Sequence, residues 1–348
     1  MQALWFAFAA LTLTLYVVLD GFDFGAGAAH LFVARDDRER RQVLAAIGPF
    51  WDGNEVWLLA GGGVLFLAFP KVLAAGLSGF YLAIFLLLWT LILRGIAIEF
   101  RSHVDDRMWR SFWDGAFALA STLAPVLLGA ALGNVLRGVP LGADGYFALP
   151  LFDSFSPRGA LGILDWYTVL AGVTALAALT HHGALFLAWK CDAAVAARSR
   201  ALAARLFPAT LVLWLASSIA TATVAPALVT GFAARPLAWV CTALFLGGLA
   251  TSAMARRQGS DLTAFLGSAA FLLGLLAATA VSLYPTWLRS TLDPAFSLTA
   301  QNASSPPRAL ALGLLWWPVG LLLAIVYFAI LLRLHRGRVQ AAAEGEGY

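Results

Sequence analysis

Nine separate runs of predominantly apolar residues, each about the length of a membrane-crossing helix, divide this chain from end to end. They lie at approximately 4–32, 51–74, 77–99, 113–136, 162–189, 203–227, 236–254, 263–284 and 309–333. A hydrocarbon core of roughly 30 Å needs about 20 residues in helix. The runs are too long for barrel strands and lack their alternation of polar and apolar positions. Only 12% of the residues are charged and 61% are hydrophobic, where a soluble domain carries about 25% charged residues. Lipid is the one solvent that can take so much apolar surface. No Lys or Arg precedes the first run, so it reads as a retained helix and not as a cleaved signal. The expected fold is an all-α polytopic membrane protein, with a single transmembrane domain over 1–338 and a polar cytoplasmic tail over 339–348.

The loops orient the runs. Alternate loops carry Arg35, Arg38, Arg40 and Arg41; Arg101, Arg107 and Arg110; Lys190, Arg198, Arg200 and Arg205; Arg256 and Arg257; and Arg333, Arg336 and Arg338. The intervening loops hold only Lys71, Arg137, Arg158, Arg235, Arg289 and Arg308, and Arg94 lies inside a run. By the positive-inside rule the N-terminus is expected in the periplasm and the C-terminus in the cytoplasm of a bacterial inner membrane. The net charge of +4 is therefore a topology signal and not a nucleic-acid stripe. The connections at 137–161 and 285–308 read as surface loops. No internal repeat stands out. Cys191 and Cys241 fall towards opposite sides of the membrane, which argues against a disulfide.

Charges buried in a membrane cost at least ~2.5 kcal/mol each near a helix centre and usually have a task. Here they cluster. The first run ends LDGFDFGAGAAH, with Asp20 and Asp23 on one helical face. The second begins GPFWDGNEVWLLAGGG, with Asp52 and Glu55 again three apart, the third ends with Arg94 and Glu99, and the fourth starts with Asp114. Given the alternating directions of the helices, all six acids fall in the cytoplasmic half or at its edge. A one-sided row of carboxylates suits proton entry from the cytoplasm. Simpler roles compete with this one. Asp52 can cap a helix start, Glu99 and Asp114 can sit at the interface, and Arg94 can neutralise a neighbouring acid. Gly21, Gly25, Gly27, Gly61, Gly62 and Gly63 permit close helix packing.

Redox ligands are scarce by comparison. Axial haem ligation needs His, Met or Cys facing a pocket, and the histidines are His30, His103, His181, His182 and His335. His103 and His335 lie outside the runs, while His181 and His182 point about 100° apart on a helix and cannot clamp one iron together. His30 or His182 could each serve as a single ligand, though packing or an interfacial place accounts for both. No catalytic and no metal-ligating residue is assigned.

The segments LDGFDFGAG, GPFWDGNEVWLLAGGGVLFLAFP, SGFYLAIFLLLWTLILRGIAIEFRS and SLTAQNASS resemble subunit II of the cytochrome bd-type ubiquinol oxidases. Trp51 to Trp57 is the most specific block, and the compact length looks like the cyanide-insensitive branch. The resemblance implies two four-helix bundles plus one peripheral helix, and a structurally similar subunit I as partner. In that family subunit I carries two b-type haems and one d-type haem and oxidises quinol, while subunit II holds no haem and can hold a structural quinone. Subunit II is needed for assembly and lines a proton route for the reduction of oxygen to water. Carried over by motif, Asp20, Asp23, Asp52 and Glu55 are that route's candidates, with Asp52 first among them; Glu99 and Asp114 join by position, with Arg94 as charge partner. Some members have Gln where Glu55 stands. A small accessory subunit and the quinone preference are left open. A proton-coupled secondary transporter is the alternative, but it would place its acids near the midplane between inverted repeats.

Overall fold

The computed structural model describes residues 1–339, so apart from Val339 the expected polar tail lies outside the described residues. Among them the chain is almost wholly helical. In order come α1 (Gln2–Val33), α2 (Asp37–Ile47), α3 (Trp51–Ala68), α4 (Pro70–Gly79), α5 (Tyr81–Phe100), α6 (Arg107–Arg137), α7 (Trp166–Lys190), α8 (Ala193–Val224), α9 (Pro226–Ala233), α10 (Pro236–Arg257), α11 (Asp261–Leu283) and α12 (Pro307–Leu334). Among the described residues, eight of these helices are long and apolar enough to cross a membrane: α1, α5, α6, α7, α8, α10, α11 and α12.

The remaining expected span, 51–74, has a different form. Pro70 weakens the helix at this point, because its ring crowds the i−4 carbonyl and it has no N–H to donate. The helix therefore stops at Phe69, where φ is −138° and ψ is 56°, and restarts as α4. The 18 residues of α3 begin with a polar turn containing Asp52, Asn54 and Glu55, which keeps this helix out of the set of eight. The same device recurs between α8 and α9. Ala225 takes φ −138° and ψ 62° immediately before Pro226. No repeat is visible in the sequence, yet the backbone breaks in the same way before Pro70 and before Pro226, whereas Pro125, Pro208 and Pro318 lie inside continuous helices.

A further helix replaces what reads as an arginine-rich loop. α2 is capped by the Asp36 carboxylate, which accepts from the Glu39 N–H at 2.9 Å, and it buries Val43, Leu44 and Ile47 on one side. At the opposite end of the molecule the two long connections meet. Arg137 pairs with Asp165, the Val139 N–H donates to the Arg289 carbonyl at 2.9 Å, and the short strands β1 (Thr286–Leu288) and β2 (Leu298–Thr299) pair antiparallel. Cys191 and Cys241 are both free thiols.

α1 is the axis on which the fold is organised. It packs against α3, α6, α7 and α11 and is buried along most of its second half. Its closest approach is to α7, where a Cβ placed on Gly25 would lie 1.9 Å from the Leu179 carbonyl oxygen, and one on Gly183 would lie 2.2 Å from the Gly25 carbonyl carbon. These two glycines therefore put main chain directly against main chain, as small residues do at membrane helix crossings. α12 lies apart from this centre with a largely exposed surface, touching α3.

Candidate functional site

The polar residues of α1 repeat at heptad spacing. Tyr16, Asp20, Asp23, Gly27 and His30 fall on one stripe of the helix, and every one of them is buried. Two layers of charge are built on it, separated by roughly 15 Å of helix rise between Asp20 and His30.

The deeper layer joins α1, α3 and α5. Arg94 of α5 donates to Asp20 at 2.7 Å and to Glu55 at 2.5 Å, and its guanidinium lies 4.2 Å from the centre of the Phe24 ring, which adds a cation–π contact. Asn54 donates to Asp23 at 2.7 Å and to the Leu19 carbonyl at 3.1 Å. Asp20, Asp23 and Arg94 have no exposed surface, whereas the Glu55 side chain keeps 29%. Four polar atoms of this layer face no protein partner: Asp23 Oδ1, Asn54 Oδ1, Trp57 Nε1 and Arg94 Nε. Buried polar atoms rarely go unsatisfied, so these atoms need hydrogen-bond partners beyond those the protein supplies.

The second layer sits at the arginine-rich end. Asp114 of α6 takes Arg101 Nε at 2.6 Å, Arg40 Nη1 at 2.8 Å and His30 Nε2 at 2.9 Å. Asp37, the first residue of α2, takes Arg41 at 2.7 Å, Arg101 at 2.8 Å and Arg110 at 3.4 Å. Burial works against the charge on Arg101, but the two carboxylates outweigh it and hold its pKa above the ordinary value. Glu39 is fixed by Arg198 at 2.5 Å and by the Arg35 N–H at 2.7 Å. Partial burial alone would raise its pKa, yet these donors hold it below the usual carboxylate range.

The structure thus gathers Asp20, Asp23, Glu55 and Arg94 into one site and leaves three other candidates apart from it. Asp52 stands at the surface of the chain, as the acid in the first turn of α3, and the N-cap position itself is held by Phe50, which has no capping side chain. Glu99 is exposed near the end of α5. Asp114 is buried, and donors already occupy both of its oxygens. Sequence reasoning passed over Tyr16, Asn54, Arg101 and the partnership of His30 with Asp114. Heptad spacing from Asp20 and Asp23 would have found Tyr16 and His30, whereas nothing local points from residue 30 to residue 114.

The scan against protein-family models matches residues 1–335 to cytochrome bd terminal oxidase subunit II. The chain belongs to that family. It is 30% identical over 352 residues to the cytochrome bd-I ubiquinol oxidase subunit 2 of Escherichia coli K12, covering 94% of this chain and 91% of the relative. It is 33% identical over 303 residues to the cytochrome bd ubiquinol oxidase subunit 2 of Bacillus subtilis, covering 87% and 86%. Among solved structures, the bd oxidase from Geobacillus thermodenitrificans has a similar fold, with a TM-score of 0.72 and 20% identity over 96% of this chain and 98% of the other. A bd-type subunit II works within a membrane-bound ubiquinol oxidase that contains haem and a subunit I, and the transporter alternative is set aside.

Proposed function

We propose that this subunit is the haem-poor half of a quinol:oxygen oxidoreductase. It supports assembly of a structurally similar subunit I bearing two b-type haems and one d-type haem, and it delivers protons from the cytoplasm for the reduction of oxygen to water. With the N-terminus periplasmic, the arginine-rich end faces the cytoplasm and α3 rises from that side.

One observation carries the proton route. Exposure falls from Asp52 at the surface, through the partly exposed Glu55, to Asp20 with none. Asp52 and Glu55 are three residues apart on the same helical face. Glu55 and Asp20 share Arg94, and the unpartnered oxygen of Asp23 lies beyond. Protons can move along such a series through titratable groups joined by water.

The face of α3 that carries Asp52 is assigned to subunit I. Asp52, Val56, Leu59, Gly63 and Phe66 repeat at heptad spacing and are all exposed in the single chain. A carboxylate facing acyl chains is costly, whereas a partner helix seated over Gly63, which has open space around it, would cover it. On this reading Asp52 sits at the joint between the two subunits, as the entrance of the route.

The test is Asp52→Asn in the assembled oxidase. Haem content is expected to be unchanged and quinol-driven oxygen consumption to slow. An intact complex turning over at the parental rate would remove Asp52 from the route. The subunit expressed alone is expected to show no haem absorbance, and haem bands from it would overturn the division of labour.

A further inference from the structure

The second half of the molecule holds a polar pocket separate from the acidic layers. His181 of α7, Thr210 of α8, Ser252 of α10 and Ser268 of α11 line a cavity, walled also by Phe207 and Phe271, that leaves about 10 Å³ in which a water can be centred. A void of roughly 10–15 Å³ suffices for one water if polar partners surround it. The four polar residues are buried, none keeping more than 3% exposure. His181 Nε2, Thr210 Oγ1 and Ser252 Oγ all lack a protein partner. Leaving three such atoms dry inside a membrane protein is expensive.

The surrounding hydrogen bonds fix where the protons are. His181 Nδ1 lies 3.0 Å from the Ala203 carbonyl oxygen. A carbonyl only accepts, so the ring proton is on Nδ1 and Nε2 is an acceptor. His182 Nε2 lies 3.1 Å from the Val18 carbonyl, so its proton is on Nε2, and its Nδ1 accepts from Ser268 Oγ at 2.5 Å. Ser268 has a single hydroxyl proton, for which the Phe265 carbonyl oxygen, 2.8 Å from its Oγ, competes. Once that proton is given to His182, the Ser268 oxygen is left as an acceptor. The pocket then offers two acceptors, His181 Nε2 and Ser268 Oγ, and two hydroxyl donors, Thr210 and Ser252. That is the complement of one water molecule.

We propose that this pocket binds a single ordered water that donates to His181 and Ser268 and accepts from Thr210 and Ser252, joining α7, α8, α10 and α11. The water is a fastening and not part of a proton wire. From Ser268 the row continues to His182 and stops at the Val18 carbonyl, which has no proton to pass on. The proposal is therefore independent of the acidic route.

A cryo-EM map of the assembled oxidase, at a resolution that shows ordered water within the membrane, tests it. The expected result is one peak within hydrogen-bonding distance of all four atoms. A pocket without density, its hydroxyls bonded directly to each other, would overturn the proposal. Thr210→Val keeps the side-chain shape and removes one donor. It is expected to abolish the peak or sharply reduce its occupancy, with haem content and oxygen consumption unchanged. A peak of undiminished occupancy in that variant would overturn the assignment of Thr210 as a donor to a bound water.

Discussion

Asp20 and Arg94 form an ion pair of 2.7 Å in which neither side chain has any exposed surface. Removing one partner of such a pair strands a charge, at a cost of about 3–5 kcal/mol. Arg94→Gln is therefore expected to reduce the yield of haem-containing complex severely. Adding Asp20→Asn to it should restore part of that yield, because the stranded carboxylate is then gone. Measured as haem per complex after purification, a single variant that assembled as well as the parent would show that the buried Asp20 carboxylate does not depend on this guanidinium.

Asp114 should behave unlike Asp52. Its substitution by Asn leaves Arg40, Arg101 and His30 gathered around a neutral amide. The expected defect is in assembly, with lowered thermal stability and lost haem. Asp52→Asn is expected to keep both and lose turnover. Size-exclusion profiles and haem content of the two variants, compared side by side, separate the roles. Equal behaviour would mean that the two acids share one.

The expected row of six acids thus divides into members with different surroundings. Spacing made much of this legible. The heptad from Tyr16 to His30 and the pairs Asp20/Asp23 and Asp52/Glu55 are local, and helical periodicity places them on faces without any knowledge of the fold. The partners were not legible in the same way. That Arg94 reaches back to Asp20, or Arg101 to Asp114, depends on how α5 sets against α1 and α6, and no spacing along the chain encodes it. The helix α2 was missed for another reason. Its buried apolar residues Val43, Leu44 and Ile47 follow directly on arginines whose charge dominates the composition of residues 35–41.

Acid should loosen the arginine-rich end. The Glu39 pKa is held below its ordinary value by Arg198 and the Arg35 N–H. A carboxyl depressed in the folded state contributes stability above its unfolded pKa and loses it as the pH falls through the folded one. The melting temperature of the solubilised complex is expected to decline on acidification below the normal glutamate pKa, about 4.3, and Arg198→Gln should flatten that decline. An unchanged slope would mean that this pair does not contribute to the acid sensitivity.

The contact between α1 and α7 sets a steric limit. Gly183→Ala puts a methyl group 2.2 Å from the Gly25 carbonyl carbon, so the helices must separate. Overpacking commonly costs about 1–3 kcal/mol, and backbone atoms yield less readily than side chains. The variant is expected to melt several degrees lower and to perturb oxygen consumption as well. By contrast Gly247→Ala, where nothing lies within 4 Å, should be silent in both measurements.

That crossing also decides what the chain is free to change. A contact made by side chains can drift, since one residue shrinks while its neighbour grows and the helices settle at a new separation. Two glycines touching through their main chains have no such currency. The offset between the acids of α1 and the imidazoles of α7 is then inherited as a fixed length, while the lipid-facing residues of both helices can diverge without moving either set.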